Sequence, residues 1–434
     1  MQYGNNAFEY LKTGGIIALF SWISFFPQPI QDKYNIILSI LLLSACFIFR
    51  RKPHFMSVGL NLPMCIFIIA MCISILFSLD KYIAFKAYLN LVIPLILINF
   101  FIISVFNEEK SMSLLAKTIT ICGILVASMG ILESMFRFNP IYEYFISNPY
   151  YERFIKSSLV ISQTRYAPGF VPGVIRVSSS TQYNPTILAA YLLGCLPFNF
   201  FVRSDSRRIF RFLGNLGLIL GTLVITINVS RSVFLGLAFM VISYFFLLKK
   251  YREILAFLCF LIIFVTVCTY LPHPFDRYGF IRKGKIGENI QLTQRLVRVT
   301  MTKHMVIDHP FAGLGLQNFR IRFCEYLHDD CSKVPDEYRV ADNMYLTILS
   351  ETGAIGFIGF LILIICSFKN AYRHLKTLKI SSYIRKYILM VLLAFIGLLV
   401  SMSGFELLYW HSLCLFFFII VSILNVNYIS FSES

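Results

Sequence analysis

Apolar and polar positions alternate along this chain on the scale of a bilayer rather than on the scale of a surface helix or a strand. Apolar runs fall near 10–26, 34–49, 57–78, 83–105, 112–136, 183–202, 209–227, 231–248, 253–271, 343–368, 385–403 and 405–425. Their lengths suit helices that cross about 30 Å of hydrocarbon. The pattern predicts an all-α membrane protein of about twelve transmembrane helices. The first run, flanked by Glu9 and Lys12 and lacking a small-residue cleavage site, reads as a span rather than a removable leader. Two polar intervals, 137–182 and 272–342, are too long to be simple connectors. The expected organisation is therefore helices 1–9 over 1–271 with the loop 137–182 among them, a loop domain over 272–342 with an amphipathic helix, and helices 10–12 over 343–434.

Charge orients the bundle. With both termini cytoplasmic, the inside connections hold Arg50, Arg51, Lys52, Lys110, Arg203, Arg207, Arg208, Arg211, Lys249, Lys250, Arg252, Lys369, Arg373, Lys376, Lys379, Arg385 and Lys386, while the short outside connections hold almost none. The positive-inside rule then puts both long loops on the extracytoplasmic face. Composition agrees: 57% of the 434 residues are hydrophobic and 14% charged, against about a quarter charged in soluble domains. A multi-pass membrane protein is expected, in contact with membrane lipids and with no nucleic-acid partner. The net charge of +17 has one part the orientation rule does not require, because the outer loops are also basic. Cations there suit an anionic ligand such as a lipid diphosphate or an acidic glycan, or else anionic headgroups.

The loop 272–342 carries most of the candidate chemistry. From about Glu288 to Ile307 the residues Ile290, Leu292, Leu296, Val297, Val299, Met301, Met305 and Val306 suit an amphipathic helix ended by Asp308-His309-Pro310. Arg295 and Arg298 share one face of it, and the pair is expected to point at the headgroup level and grip a pyrophosphate. Cys324 and Cys331 lie in the same loop, where an oxidising compartment permits a disulfide. No His, Cys or carboxylate spacing suits a metal, so neither a metal nor another cofactor is expected. Ser230-Arg231 falls at the outer junction of two spans, a costly place for a cation that is neither paired nor functional. Glu133, Glu351 and Glu406 lie in or near spans, where an acid is usually functional or paired inside the bundle. Gly353, Gly356 and Gly359 suit close helix packing.

Four patterns in order resemble the motifs of the bacterial O-antigen ligase and polymerase superfamily. They are Arg176-Val-Ser-Ser-Ser-Thr-Gln-Tyr-Asn184-Pro185 opening a span, Arg231-x-x-x-Leu235, Asp308-His309-Pro310-x-x-Gly313-x-Gly315-x-x-Asn318-Phe319, and Asn343-x9-Gly353-x-x-Gly356. The resemblance implies a GT-C-like bundle with a large extracytoplasmic loop domain between helices 9 and 10. It also implies a metal-independent glycosyltransferase whose donor is a glycan on undecaprenyl diphosphate. The acceptor would be a glycolipid or glycan such as lipid A-core, and a chain-length regulator or flippase would be the protein partner. By the same resemblance Arg231 and Arg295 become catalytic through the donor diphosphate, while Arg176, Arg298, His309 and Asn343 bind substrate.

The family's base position, a His before the Asn of the last motif, is occupied here by Asp342. Either Asp342 takes the proton of the acceptor hydroxyl, or the acceptor differs, or no protein base is needed. As a purely structural residue, Asp342 would cap a helix starting at Asn343. Ligase and polymerase share chemistry and differ in acceptor: the Arg-x-x-x-Leu and Asn-x9-Gly-x-x-Gly patterns lean to the ligase, and Asp342 leans away. A flippase or exporter would place its charges along a central cavity rather than in outer loops.

Overall fold

Each of the twelve apolar runs is matched by a helix in the computed structural model. It describes residues 2–26, 28–49, 62–105, 109–136, 185–228, 230–270, 290–327, 339–376 and 381–426. The helices are α1 (Gln2–Phe25), α2 (Gln28–Phe49), α3 (Leu62–Leu76), α4 (Lys81–Val105), α5 (Glu109–Phe136), α6 (Pro185–Val202), α7 (Arg208–Asn228), α8 (Arg231–Leu247), α9 (Tyr251–Tyr270), α10 (Ile290–Asp308), α11 (Asn318–Tyr326), α12 (Met344–Lys376), α13 (Ser382–Ser401) and α14 (His411–Leu424). Two 3-10 turns, Met402–Gly404 and Leu407–Tyr409, join the last pair. No strand occurs among the described residues.

Six stretches are long and apolar enough to cross a membrane: Lys81–Ile103, Glu109–Phe136, Pro185–Val202, Arg208–Asn228, Met344–Lys376 and Ser382–Gly404. Four more, Lys12–Phe25, Leu62–Leu76, Arg231–Leu247 and His411–Leu424, are apolar but shorter. The loop 137–182 lies outside the described residues, as do 272–289 and 328–338 of the second loop.

The core gathers around α6, buried along nearly its whole length and packed on α5, α7 and α13. The approach of α7 is set by Gly217 and its neighbours Gly214 and Gly221. A methyl at Gly217 would sit 2.8 Å from the Asn199 side chain, so only a bare backbone fits there. A second, smaller cluster made of Met301, Met305, Leu314, Phe319, Phe323 and Ala341 joins α10 and α11 to the start of α12.

The run 343–368 was expected as one uninterrupted helix with its glycines at a packing face. Instead α12 is two legs broken at Gly353, whose φ of 62° and ψ of −167° are not helical. The Tyr345 and Phe360 rings lie 6.2 Å apart across the break, whereas fifteen residues of continuous helix would span about 22 Å. A break strands backbone donors and acceptors, each costing several kcal/mol if left in an apolar bundle.

The segment 310–315 supplies the missing partners. Leu314 and Gly315 donate N–H bonds to the carbonyls of Ser350 and Glu351 (2.9 and 2.8 Å), closing the end of the first leg. Ala354 and Ile355 donate to the carbonyls of Pro310 and Phe311 (2.8 and 3.1 Å), opening the second. Contact this close needs glycine on both sides. A Cβ on Gly313 would meet Glu351 carbonyl atoms at 2.4–2.5 Å, and one on Gly353 would meet those of Phe311 at 2.3 Å. Of the three glycines read as packing positions, only Gly359 fills that role, against Phe67 and Ala70 of α3. Gly356 faces Thr352 of its own helix.

Gly353→Ala is expected to lower stability by about 2 kcal/mol or more, because its backbone region is essentially glycine-only. Gly14→Ala, whose methyl would meet nothing within 4 Å, should leave the melting temperature in detergent unchanged. Equal melting temperatures for the two variants would contradict this account of the break.

Candidate functional site

The break fixes where α12 begins, and its first residues meet α10 there. Arg298, Met301, Thr302 and Met305 form the inward face of α10 and are buried, while Leu296, Val297, Val299 and Ile307 are exposed. Arg298, expected to reach toward the headgroups, is thus turned into the protein, only 7% exposed. Its Nη1 pairs with Asp342 Oδ2. A guanidinium this deep needs a counter-charge, and Asp342 provides it.

Asp342 is not a helix cap. It sits at φ 52°, a left-handed conformation that Asp tolerates better than most residues. The cap belongs to Asn343, whose Oδ1 accepts from the N–H groups of Tyr345 and Leu346 (3.0 and 3.2 Å). Helix α12 accordingly starts at Met344, one residue later than expected. With the capping duty moved to Asn343, the Asp342 carboxylate is left to Arg298.

A second carboxylate closes the site from the far end of the chain. Glu406, between the two 3-10 turns, accepts through Oε1 from the Ala341 N–H (3.0 Å) and from Thr347 Oγ1 (2.8 Å). Burial raises its carboxyl above the ordinary carboxylate range; bonds from Thr347 and Ala341, then the charges of Arg298 and Arg320, offset this only in part. The same connector meets α8, because Gly404 lies against Ser232, where a Cβ would sit 2.3 Å from the Ser232 Cβ. Arg231, the exposed first residue of α8, is thereby held beside the segment that carries Glu406. Asn228, at the end of α7, donates to the carbonyl of Pro185 at 3.1 Å, tying the Arg231 junction to the start of α6.

Several expected site residues are therefore brought together and others are not. Arg298, Asp342 and Asn343 converge, with Arg231 beside the neighbouring connector. His309 lies just past the C-terminal end of α10, about 16 Å from Arg298 at helical rise, where its backbone joins the break (Gly313 N–H to His309 carbonyl, 3.2 Å). Arg176 lies outside the described residues, as does the side chain of Arg295, although its backbone belongs to α10. Cys324 is disulfide-bonded; Cys331 lies outside the described residues. Tyr326, whose hydroxyl is pushed up to about 12 by burial and by its bond to Asp308, pins α11 to the end of α10.

Glu351 is 2% exposed. Its Oε1 accepts from the Phe319 N–H at 3.3 Å, and its Oε2 has no hydrogen-bond partner among the described residues. It lines a cavity of about 10 Å³ with Leu316, Met344, Ile348 and Tyr409, room for roughly one water. Among the described residues no group of His, Cys, Asp and Glu is placed to hold a metal ion. The chemistry on offer is that of guanidinium groups, three carboxyl groups and a hydroxyl.

Sequence reasoning marked Glu406 as functional or paired without assigning it to the site, and did not single out Thr347. An acid in the otherwise apolar stretch 387–424 was the available signal for the first; Thr347, inside an apolar helix, gave none.

Residues 216–361 match a family model described as O-antigen ligase. The matched segment runs from α7 through the break and includes Arg231, Arg298, Asp342 and Asn343. No curated protein matches the chain.

A double-mutant cycle tests the buried pair. Arg298→Ala and Asp342→Ala should each destabilise, and the double variant should cost about 1–3 kcal/mol less than their sum. Additive thermal shifts would mean that the two side chains do not depend on one another.

Proposed function

We propose, from the match of residues 216–361 to a family model described as O-antigen ligase, that the protein transfers a glycan en bloc from undecaprenyl diphosphate to an acceptor hydroxyl. The reaction takes place on the extracytoplasmic face of the inner membrane, in the assembly of lipopolysaccharide or a related surface polysaccharide, with lipid A-core as the acceptor. The observation that carries this reading is the convergence of Arg231, the Arg298–Asp342 pair and Asn343 at one end of a helical bundle. A disulfide-bonded Cys324 in α11 suits an oxidising compartment. The twelve-span topology with cytoplasmic termini belongs to the same proposal, supported by twelve helices and the distribution of basic residues.

The reacting bond joins the anomeric carbon to a diphosphate oxygen. As it breaks, negative charge builds on the diphosphate, and fixed cations lower the barrier most when they are already in place. Arg231 and Arg295 are assigned to the diphosphate, and Arg176 to the same anionic donor from the loop before α6. Arg298 lines the site from within, its charge balanced and its orientation held by Asp342. This gives Asp342 a holding role in place of the base role its position suggests. Asn343 sets the first turn of α12 that carries Asp342, and His309 supports the site through the backbone of the break. A chain-length regulator or flippase would meet the protein as a partner in glycan assembly.

The polymerase reading keeps one specific observation in its favour, Asp342 where the ligases carry His. The two readings part in a deletion strain. Loss of long chains from lipid A-core with polymer left on the carrier lipid marks a ligase; collapse to single repeat units marks a polymerase. Arg231→Ala and Arg295→Ala should each cut transfer about 10²-fold or more, the scale of losing one preorganised donor to a developing oxyanion, with unchanged membrane levels. Full transfer by both variants would remove the proposed donor site.

A further inference from the structure

Glu406 differs from the other acids of the bundle in where it lies and in what it leaves open. It sits in Met402–Trp410, where two 3-10 turns interrupt the helical run between α13 and α14, beyond the segment that matches the ligase family. Oε1 takes both of its hydrogen bonds, from Ala341 and Thr347. Among the described residues Oε2 enters no hydrogen bond and no ion pair within 4 Å. The charged and titratable groups around it are Arg298 of α10, Arg320 of α11 and Glu351 of α12. Asp342 follows Ala341 directly, Tyr409 lies on the same connector, and Arg231 adjoins Ser232 where α8 touches Gly404.

The other two acids at this end suit proton transfer less well. Asp342 is held by Arg298, and protonating it would leave a buried guanidinium without its counter-ion. Glu351, at 2% exposure, is sealed behind Met344 and Leu316 beside a cavity with room for about one water. Glu406 is only partly buried, and it is anchored by one oxygen with the other unbonded. Its raised titration brings the carboxylate closer to the neutral range in which a general base works best.

We propose that Glu406, rather than Asp342, takes the proton of the acceptor hydroxyl. This rests on the glycan-transfer reading given above. In that step the acceptor oxygen forms a bond to the anomeric carbon. The bond from that carbon to the diphosphate oxygen breaks, and its electron pair stays on the diphosphate. The hydroxyl proton passes to a Glu406 carboxylate oxygen and from there to solvent. Atoms and charge balance without any further reactant.

The test adds purified full-length protein in detergent to membranes of a strain deleted for its own copy, which hold the accumulated native donor and acceptor. Initial transfer rates are read on glycan gels across pH. The wild-type rate should rise with pH through one ionisation and then level, because the base must be deprotonated to act. Glu406→Gln keeps an oxygen for Ala341 and Thr347 but cannot ionise. It should transfer about 10²-fold more slowly and lose the pH-dependent limb, with undecaprenyl diphosphate binding unchanged. Asp342→Asn should slow transfer while leaving the limb in place.

Glu406→Gln within threefold of wild type, or a limb lost in Asp342→Asn and kept in Glu406→Gln, would overturn the assignment. Should Glu406→Gln fail to fold, Glu406→Asp takes its place: slower transfer with a displaced limb supports the proposal, and an unmoved limb overturns it. A wild-type protein that transfers nothing removes the glycosyltransferase reading together with this one. Normal wild-type transfer with an insensitive Glu406 removes only the base.

Discussion

The site depends on a backbone problem and its local solution. A helix broken at Gly353 among apolar neighbours would strand carbonyls on one side and amides on the other. Four hydrogen bonds from 310–315 close both ends, and they do so only because Gly313 and Gly353 let two backbones meet where any side chain would collide. The same segment is fastened to the α3–α4 turn: Leu79 donates to the Leu314 carbonyl, and Asn318 donates to Ser78 Oγ at 2.8 Å. Helix α10 therefore enters the bundle at a fixed point, and the first leg of α12 is tilted back alongside it. The Arg298–Asp342 pair, which bridges those two elements, inherits its geometry from the break.

That pairing has electrostatic consequences. Arg298 could not be held at 7% exposure without an anion in contact, so the burial of the guanidinium and the conformation at Asp342 are one feature. The left-handed turn at Asp342 sets its carboxylate toward α10 while the next residue, Asn343, closes the helix start. Two adjacent residues thereby divide two jobs, counter-ion and cap, that either could have done alone. The Ala341 amide immediately before them binds Glu406, so three consecutive residues connect α10, α12 and the α13–α14 connector.

The fold was legible in the sequence where apolar length alone decides the outcome. Each apolar run coincides with a helix, six of the described stretches being long and apolar enough to cross a membrane, and α10 over Ile290–Asp308 ends at the expected Asp-His-Pro signal. The reading went astray where a pattern has two physical meanings. Glycines at small-residue spacing suit both packed helices and a broken one, and only the loop that pairs with the break distinguishes them. An arginine on an amphipathic helix suits both a headgroup and a buried partner, and its direction depended on Asp342, forty-four residues away. The cap was misplaced by one residue because Asp and Asn are both good caps, and propensity cannot choose between neighbours when tertiary pairing claims one of them.

The arrangement also bears on how much of the site a family segment can hold. Residues 216–361 contain the break, the buried pair and Arg231, yet the segment does not position Arg231 by itself. Asn228 is fixed by the carbonyl of Pro185 in α6, and Ser232 by the bare backbone of Gly404 past α13. Each tie comes from outside the segment, and α6 is also buried along nearly its whole length. Packing that loosened α6 or the α13–α14 connector would move Arg231 relative to Arg298 without touching any motif residue. The spacing of cations at this site is thus a property of the whole bundle, and the motif residues report it only because the apolar runs around them pack in one way.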